Sequence, residues 1–89
     1  MKALRSTGPF RRDFKRIARR GYDLSLFETL IDRLRNDQPL PVSARPHPLK
    51  GEWAKYMDCH IQPDWILIYQ VEADEIVLAR TGTHADLFG

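Results

Sequence analysis

The sequence predicts an α+β domain in which two N-terminal helices pack on an antiparallel β-sheet. Three observations carry that class. Apolar residues recur at helical spacing from Phe10 to Leu34, prolines interrupt the chain at Pro39, Pro41, Pro46 and Pro48, and three runs with strand character fill the remainder of the chain. A helical period that gives way to strand character, without alternating with it, segregates the helices from the sheet.

A short strand over 2–6 precedes the helices. Gly8-Pro9 starts the first helix, because proline at the first helical position lacks only an N–H that would have no partner there. Phe10, Phe14, Ile17 and Ala18 then form one apolar stripe, and Gly21 ends the helix. The second helix starts at Asp23 or Ser25: Ser25 with Glu28 fits a capping box, and Asp23 is the alternative cap. Leu24, Phe27, Leu30, Ile31 and Leu34 make its stripe, and Asn36-Asp37 closes it. The connection is short enough for an antiparallel helical hairpin. The prolines exclude regular structure over 38–48 and leave a stiff loop. Strands are predicted over 53–61, 65–72 and 75–81, with turns at Gln62-Pro63 and Ala73-Asp74, giving the order β-α-α-β-β-β. Trp65-Ile66-Leu67-Ile68-Tyr69 is apolar on both faces and reads as a central strand covered on both sides.

At 89 residues the chain has room for a single domain, 1–89. Its 43% hydrophobic and 29% charged residues are near globular averages, which excludes wholesale disorder. The single cysteine, Cys59, excludes an internal disulfide and a cysteine-based zinc site. No apolar run approaches the ~20 residues of a membrane span, and no signal-peptide pattern opens the chain. A cytoplasmic protein without membrane contact is therefore expected. Charge is uneven: Lys2, Arg5, Arg11, Arg12, Lys15, Arg16, Arg19 and Arg20 face Asp13 alone in the first twenty residues, whereas Asp64, Glu72, Asp74, Glu75 and Asp86 outweigh Arg80 over 61–89. A basic helix of this kind suits phosphate or an acidic partner, with Arg12, Lys15 and Arg16 as candidate contacts; a solvated helix face is the plainer alternative.

Turns of even length fix which side chains share a face. A turn centred on Gln62-Pro63 puts His60 opposite Trp65, Asp58 opposite Leu67 and Tyr56 opposite Tyr69. One centred on Ala73-Asp74 puts Tyr69 opposite Leu78 and Leu67 opposite Arg80. Tyr56, Asp58, His60, Trp65 and Arg80 then share one open face, while Met57, Cys59, Ile66, Ile68, Val77 and Ala79 form an apolar face for the helices to cover. An open face with histidine, aspartate, arginine and aromatics, and His84 just past the last strand, suits a phosphodiester. Arginine offers phosphate a fixed fork of donors, histidine exchanges a proton near neutral pH, and aromatics stack on bases. Such a set can deprotonate a 2′-hydroxyl, stabilise a phosphorane and protonate a leaving 5′-oxygen without metal, leaving a cyclic phosphate. Each residue also has a plainer role: Trp53, Trp65, Tyr69 and Cys59 in the core, Asp58 with Arg80 as a cross-strand ion pair, Asp64 as a turn residue beside Pro63. No histidine pair has the spacing of a preformed helical metal site, so no metal and no cofactor is assigned.

The run His47-Pro48-Leu49-Lys50-Gly51-Glu52-Trp53, the run from Asp58 to Tyr69 containing Pro63-Asp64-Trp65-Ile66-Leu67-Ile68-Tyr69, and the run from Arg80 to Phe88 containing Arg80-Thr81-Gly82-Thr83-His84 resemble the YafQ branch of the RelE-type bacterial toxins. The resemblance covers nearly half the chain and is specific through the three blocks together. It implies a compact RelE-like fold and a ribosome-dependent mRNA endonuclease, the toxin of a type II toxin–antitoxin pair. It also implies partners: a cognate antitoxin, the ribosome and mRNA, and operator DNA for the toxin–antitoxin complex. The family's active-site positions fall on His47, His60, Asp64, Trp65, Arg80, His84 and Phe88. His84 is then the candidate acid, Arg80 the phosphate holder, His60 or His47 the base with Asp64 as an orienting group, and Trp65 and Phe88 the residues that position RNA. Two other readings stay open: a nucleic-acid-binding module without catalysis, and a degenerate toxin kept as the regulatory partner of an antitoxin.

Overall fold

Both helices begin where a side chain can satisfy their first free N–H groups. In the computed structural model, which describes residues 1–89, helix α1 spans Gly8–Arg19 and the Thr7 hydroxyl accepts the Phe10 N–H at 3.1 Å. Pro9 lies in its first turn, and Gly21, at φ +82°, takes the left-handed conformation that ends the helix. Helix α2 spans Leu24–Arg35, capped by Asp23, whose carboxylate accepts the Ser25 N–H at 3.0 Å. Of the two caps open in the sequence, Asp23 is the one used. Phe10, Ile17, Phe27, Leu30, Ile31 and Leu34 are buried, and the Phe10, Phe14 and Phe27 rings meet at centroid distances of 4.9–5.9 Å. Ala18, expected on the stripe, is exposed, and the buried acid Asp13 takes a place in the buried set instead.

The α+β class and the β-α-α-β-β-β order hold, with additions. Strands β1 (Ala3–Ser6), β2 (His47–Pro48), β3 (Met57–Gln62), β4 (Trp65–Val71) and β5 (Glu75–Gly82) form one sheet in the order β1-β5-β4-β3-β2, followed by the short helix α3 (His84–Phe88). The sheet is mixed, because β1 runs parallel to β5 while the other pairs are antiparallel. The first of the three later strands begins at Met57 rather than at residue 53, and Gly51–Trp53 is a 3-10 turn. The proline-rich loop is not wholly irregular: it holds a 3-10 turn at Val42–Ala44 and β2. Pro48 is tolerated because β2 is an edge strand, where a missing N–H need cost no ladder bond.

The predicted register is one residue off, and the error has a cause. The β3–β4 turn lies at Pro63-Asp64, so Gln62 faces Trp65, and a bulge at Ile61 brings His60 opposite Ile66 and Asp58 opposite Ile68. A second bulge, at Ala79, keeps Tyr69 opposite Leu78 but moves Arg80 opposite Ile68 and Thr81 opposite Leu67. A one-residue slip exchanges the faces of a strand. Trp65, Leu67 and Tyr69 therefore lie with Cys59 and Leu78 in the core beneath the helices, whereas Ile66, Ile68 and Ala79 form a second, smaller cluster covered by Leu49, Trp53, Tyr56 and Leu87. All of Trp65 to Tyr69 is buried, as a central strand covered on both sides must be.

Leu30 is 6% exposed within the helix-side core. Leu30→Ala is expected to lower unfolding stability by about 2–4 kcal/mol in urea titration; a loss below ~1 kcal/mol would mean that α2 does not bury this face against the sheet.

Candidate active site

With both bulges in place, Asp58, His60 and Arg80 share one face of the sheet. Paired residues point the same way, so the rows Asp58–Ile68–Arg80 and His60–Ile66–Gly82 lie side by side on the face away from α1 and α2. Across two strand spacings, the Asp58 and Arg80 backbones are about 10 Å apart. The cross-strand ion pair considered from the sequence does not form, because Arg80 turns instead to Asp13 of α1.

Asp13 is 3% exposed and occupies a gap in the sheet. Strand β1 ends at Ser6, opposite Leu78, so the last residues of β5 have no strand on that side. The Asp13 carboxylate fills the place, accepting the Thr81 N–H at 3.2 Å, and reaches Arg80 from there, accepting Nε at 2.5 Å and Nη2 at 3.2 Å. These bonds raise the guanidinium pKa above its ordinary value and leave Nη1 without a protein partner. Arg16 Nη1 stands 3.8 Å from Asp13 and 3.9 Å from Asp86.

Helix α3 carries His84 and is held from three sides. Thr83 and Asp86 cap it reciprocally, Asp86 N–H to the Thr83 hydroxyl at 3.1 Å and Thr83 N–H to the Asp86 carboxylate at 3.0 Å. Arg20, at the C-terminal end of α1, donates two bonds to Asp86, at 2.7 and 3.0 Å, and holds that carboxyl far below the usual range. Gly82 lets α3 fold back this closely, since a Cβ there would stand 2.9 Å from the Asp86 Cβ. The third hold is Asp64: one carboxylate oxygen accepts the His84 backbone N–H at 2.9 Å and lies 2.6 Å from His84 Nδ1. These bonds lower the Asp64 pKa. A carboxylate only accepts, so Nδ1 carries a proton and Nε2 is the ring atom left to exchange one with a ligand.

The His84 ring centroid lies 5.7 Å from that of His60 and 6.4 Å from that of Phe88, whose side chain is exposed. His60 Nδ1 is buried without a hydrogen-bond partner. His47 is brought opposite Asp58 by β2. Its Nδ1 lies 3.1 Å from the Arg45 carbonyl and its Nε2 3.0 Å from Asp58 Oδ1, although too obliquely for a hydrogen bond to that buried oxygen. The structure thus gathers His84, Asp64, His60 and Phe88, sets Arg80 in the neighbouring row, and joins His47 to the row through Asp58.

Trp65 lies in the core and not on the open face expected of it. It is 0% exposed, its indole N–H donates to the Thr81 hydroxyl at 2.9 Å, and the Tyr22 ring meets it edge-on at 5.2 Å. It has no surface to offer RNA, because the register turns it under the helices. Arg12 and Lys15 are exposed on α1 and make no ion pair or side-chain hydrogen bond, whereas Arg16 leans toward the two carboxylates. Asp13 and Asp86 are neighbours of the site that sequence reasoning did not single out, whereas Asp58 lies on the face expected of it. Asp13 had a visible signal: an acid three residues after Phe10 and four before Ile17, on the buried stripe of a basic helix.

A depressed folded pKa means that the bonds to Asp64 and Asp86 stabilise α3 fully above the ordinary carboxylate range and are lost as pH falls through the lowered values. Carboxyl ¹³C shifts read this directly. Both groups are expected to titrate below the ordinary value of about 3.9; a midpoint at or above it would show that the contacts are absent.

A family model described as the bacterial toxin of a type II toxin–antitoxin system, YafQ, matches residues 2–89. The mRNA interferase toxin YafQ of Escherichia coli K12 is 42% identical over 84 residues, covering 93% of this chain and 91% of the relative. The crystal structure of YafQ from E. coli BL21(DE3) superposes with a TM-score of 0.92 at 38% identity, and the toxin chain in the E. coli DinJ–YafQ complex with 0.90 at 39%; each comparison covers all of both chains.

Proposed function

The chain belongs to the YafQ family of toxins from type II toxin–antitoxin systems, and from that premise we propose that it cuts mRNA on the ribosome with the sheet face that carries His60, Arg80 and His84. It is an endoribonuclease of the mRNA interferase class with an antitoxin as partner. The observation that carries the catalytic assignment is His84, fixed through Nδ1 by Asp64 with Nε2 free, one ring-to-ring distance of 5.7 Å from His60.

Cleavage then runs by internal attack. His60 or His47 takes the proton of the 2′-hydroxyl, the 2′-oxygen attacks the adjacent phosphorus, and the bond to the 5′-oxygen breaks as His84 Nε2 supplies its proton. One fragment ends in a 2′,3′-cyclic phosphate and the other begins with a 5′-hydroxyl. Arg80, with Nη1 unoccupied, faces the charge that builds on the phosphoryl oxygens. A guanidinium in that place does the electrostatic work, so the reading needs no metal. Exposed Phe88 offers a stacking surface beside His84, in place of the buried Trp65. Arg12, Lys15 and Arg16 supply cations for RNA phosphates, and the antitoxin neutralises the toxin by covering this basic, RNA-facing surface. The toxin–antitoxin pair binds operator DNA, and the toxin acts in the cytoplasm, where ribosomes are.

Induced expression is expected to arrest growth, with 5′-end mapping placing cuts in translated messages. His84→Ala and Arg80→Ala should each lower cleavage on purified ribosomes by about 10²–10⁴-fold while antitoxin binding is kept. Near wild-type cleavage by both variants would refute the assignment. Antitoxin binding without any wild-type cleavage would instead identify a regulatory partner.

A further inference from the structure

We propose that Asp13 is a positioning residue for catalysis: it orients the Arg80 guanidinium so that its Nη1 edge meets the scissile phosphate. The inference rests on the reading of Arg80 as the phosphate-binding group and adds a residue from a different element to the machinery. Four observations support it. Asp13 is 3% exposed, and its two oxygens accept from Arg80 Nε, Arg80 Nη2 and the Thr81 N–H. Arg80 is 29% exposed at its side chain, so the arginine is reachable while its anchor is not. The bonds occupy the Nε–Nη2 edge of the fork and leave Nη1 without a protein partner. The anchor is also rigid, since Thr81 is 0% exposed and its hydroxyl is held between Trp65 Nε1 and the Ile66 carbonyl.

A purely structural role fits these facts less well. Burying a carboxylate carries a desolvation cost, and a well-packed apolar pair often secures two elements as firmly. Here α1 is already fixed to β5 by Phe10, Ile17 and the Thr7 hydroxyl, which donates to the Ala79 carbonyl at 2.9 Å. The carboxylate adds a single direction for a side chain that otherwise samples many rotamers. A planar fork held along one edge presents its remaining donors at a fixed angle, as electrostatic stabilisation of a transition state requires. Asp13 also lies 3.8 Å from Arg16, so the pair Arg80 and Arg16 with one carboxylate keeps a net positive charge at the site.

The test is single-turnover cleavage of ribosome-bound mRNA by wild type, Asp13→Asn, Arg80→Lys and the double variant, each checked for antitoxin affinity and melting temperature. Asparagine keeps an acceptor for Thr81 but loses the charge and the symmetric fork. Asp13→Asn is expected to lower kcat by about 10²-fold, as a misplacement near 1 Å does, with KM changed less than about threefold. Added to Arg80→Lys it should cost almost nothing further, because it acts through the arginine. Wild-type kcat in Asp13→Asn, or the same fold-loss in both backgrounds, would overturn the proposal. Failure of the underlying reading looks different: Arg80→Lys and Arg80→Ala would themselves cleave at wild-type rates. A measurement on the wild-type protein covers poor folding of the variant. The Arg80 Nε–H should give a resolved, exchange-protected NMR resonance, and an averaged, rapidly exchanging one would overturn the proposal equally.

Discussion

Asp13 accepts hydrogen bonds from Arg80 and from the Thr81 amide, and those contacts join the basic helix to the strand that carries the site. From there charges alternate along one side of α1: Arg80, Asp13, Arg16, Asp86, Arg20. Asp13, Arg16 and Arg20 follow helical spacing, so one face of one helix and its C-terminal cap hold both β5 and α3. The exposed links add little stability individually. Their consequence is geometric, since they fix the strand bearing Arg80 and the helix bearing His84 relative to a single rigid body. His84 is then held from the other side by Asp64, in the β3–β4 turn.

Bulges decide what that body presents to solvent. Without Ile61 as an extra residue in β3 and Ala79 in β5, a uniform ladder would bring Trp65 and Leu67 onto the face of the polar residues, and either bulge alone would turn Arg80 away from Asp58 and His60. With both, His60, Asp58 and Arg80 share a face, while Trp65 and Cys59 turn to the helices. Burial pushes the Cys59 thiol up to about 12, which makes it an inert core residue. The apolar patch beneath the site, Ile66, Ile68 and Ala79, is roofed by Leu49, Trp53, Tyr56 and Leu87. The loop carrying His47 and helix α3 are therefore docked through apolar contacts as well as through polar ones.

Much of this was legible in the sequence, for identifiable reasons. Helical stripes and caps depend on residues close in the chain, and both helices start and stop where Pro9, Gly21, Asp23 and Asn36 place them. The apolar run at 65–69 marked the central strand by composition alone. Strand register depends on one residue more or less in a turn or bulge, and neither Ile61 nor Ala79 carries a local signal for one. Two slips in succession cancelled for Asp58, His60 and Arg80 and did not cancel for Trp65. The pairing of β2 with β3 was hidden because Pro46 and Pro48 mask a two-residue edge strand. Asp13 was legible as the lone acid of a basic helix, but its partner lies 67 residues away in the chain.

The chemistry we propose is general acid–base catalysis around one phosphate, with the proton-exchanging atom of His84 directed by Asp64 and the charge-stabilising fork of Arg80 directed by Asp13. Its central claim is that the nucleophile belongs to the RNA rather than to water. Replacing the single nucleotide 5′ to the mapped cut by its 2′-deoxy form, in an otherwise unchanged ribosome-bound message, tests this most directly. Cleavage at that position should fall below detection while an unmodified control message is cut normally into cyclic-phosphate and 5′-hydroxyl ends. Cleavage of the deoxy message at the control rate would contradict the account.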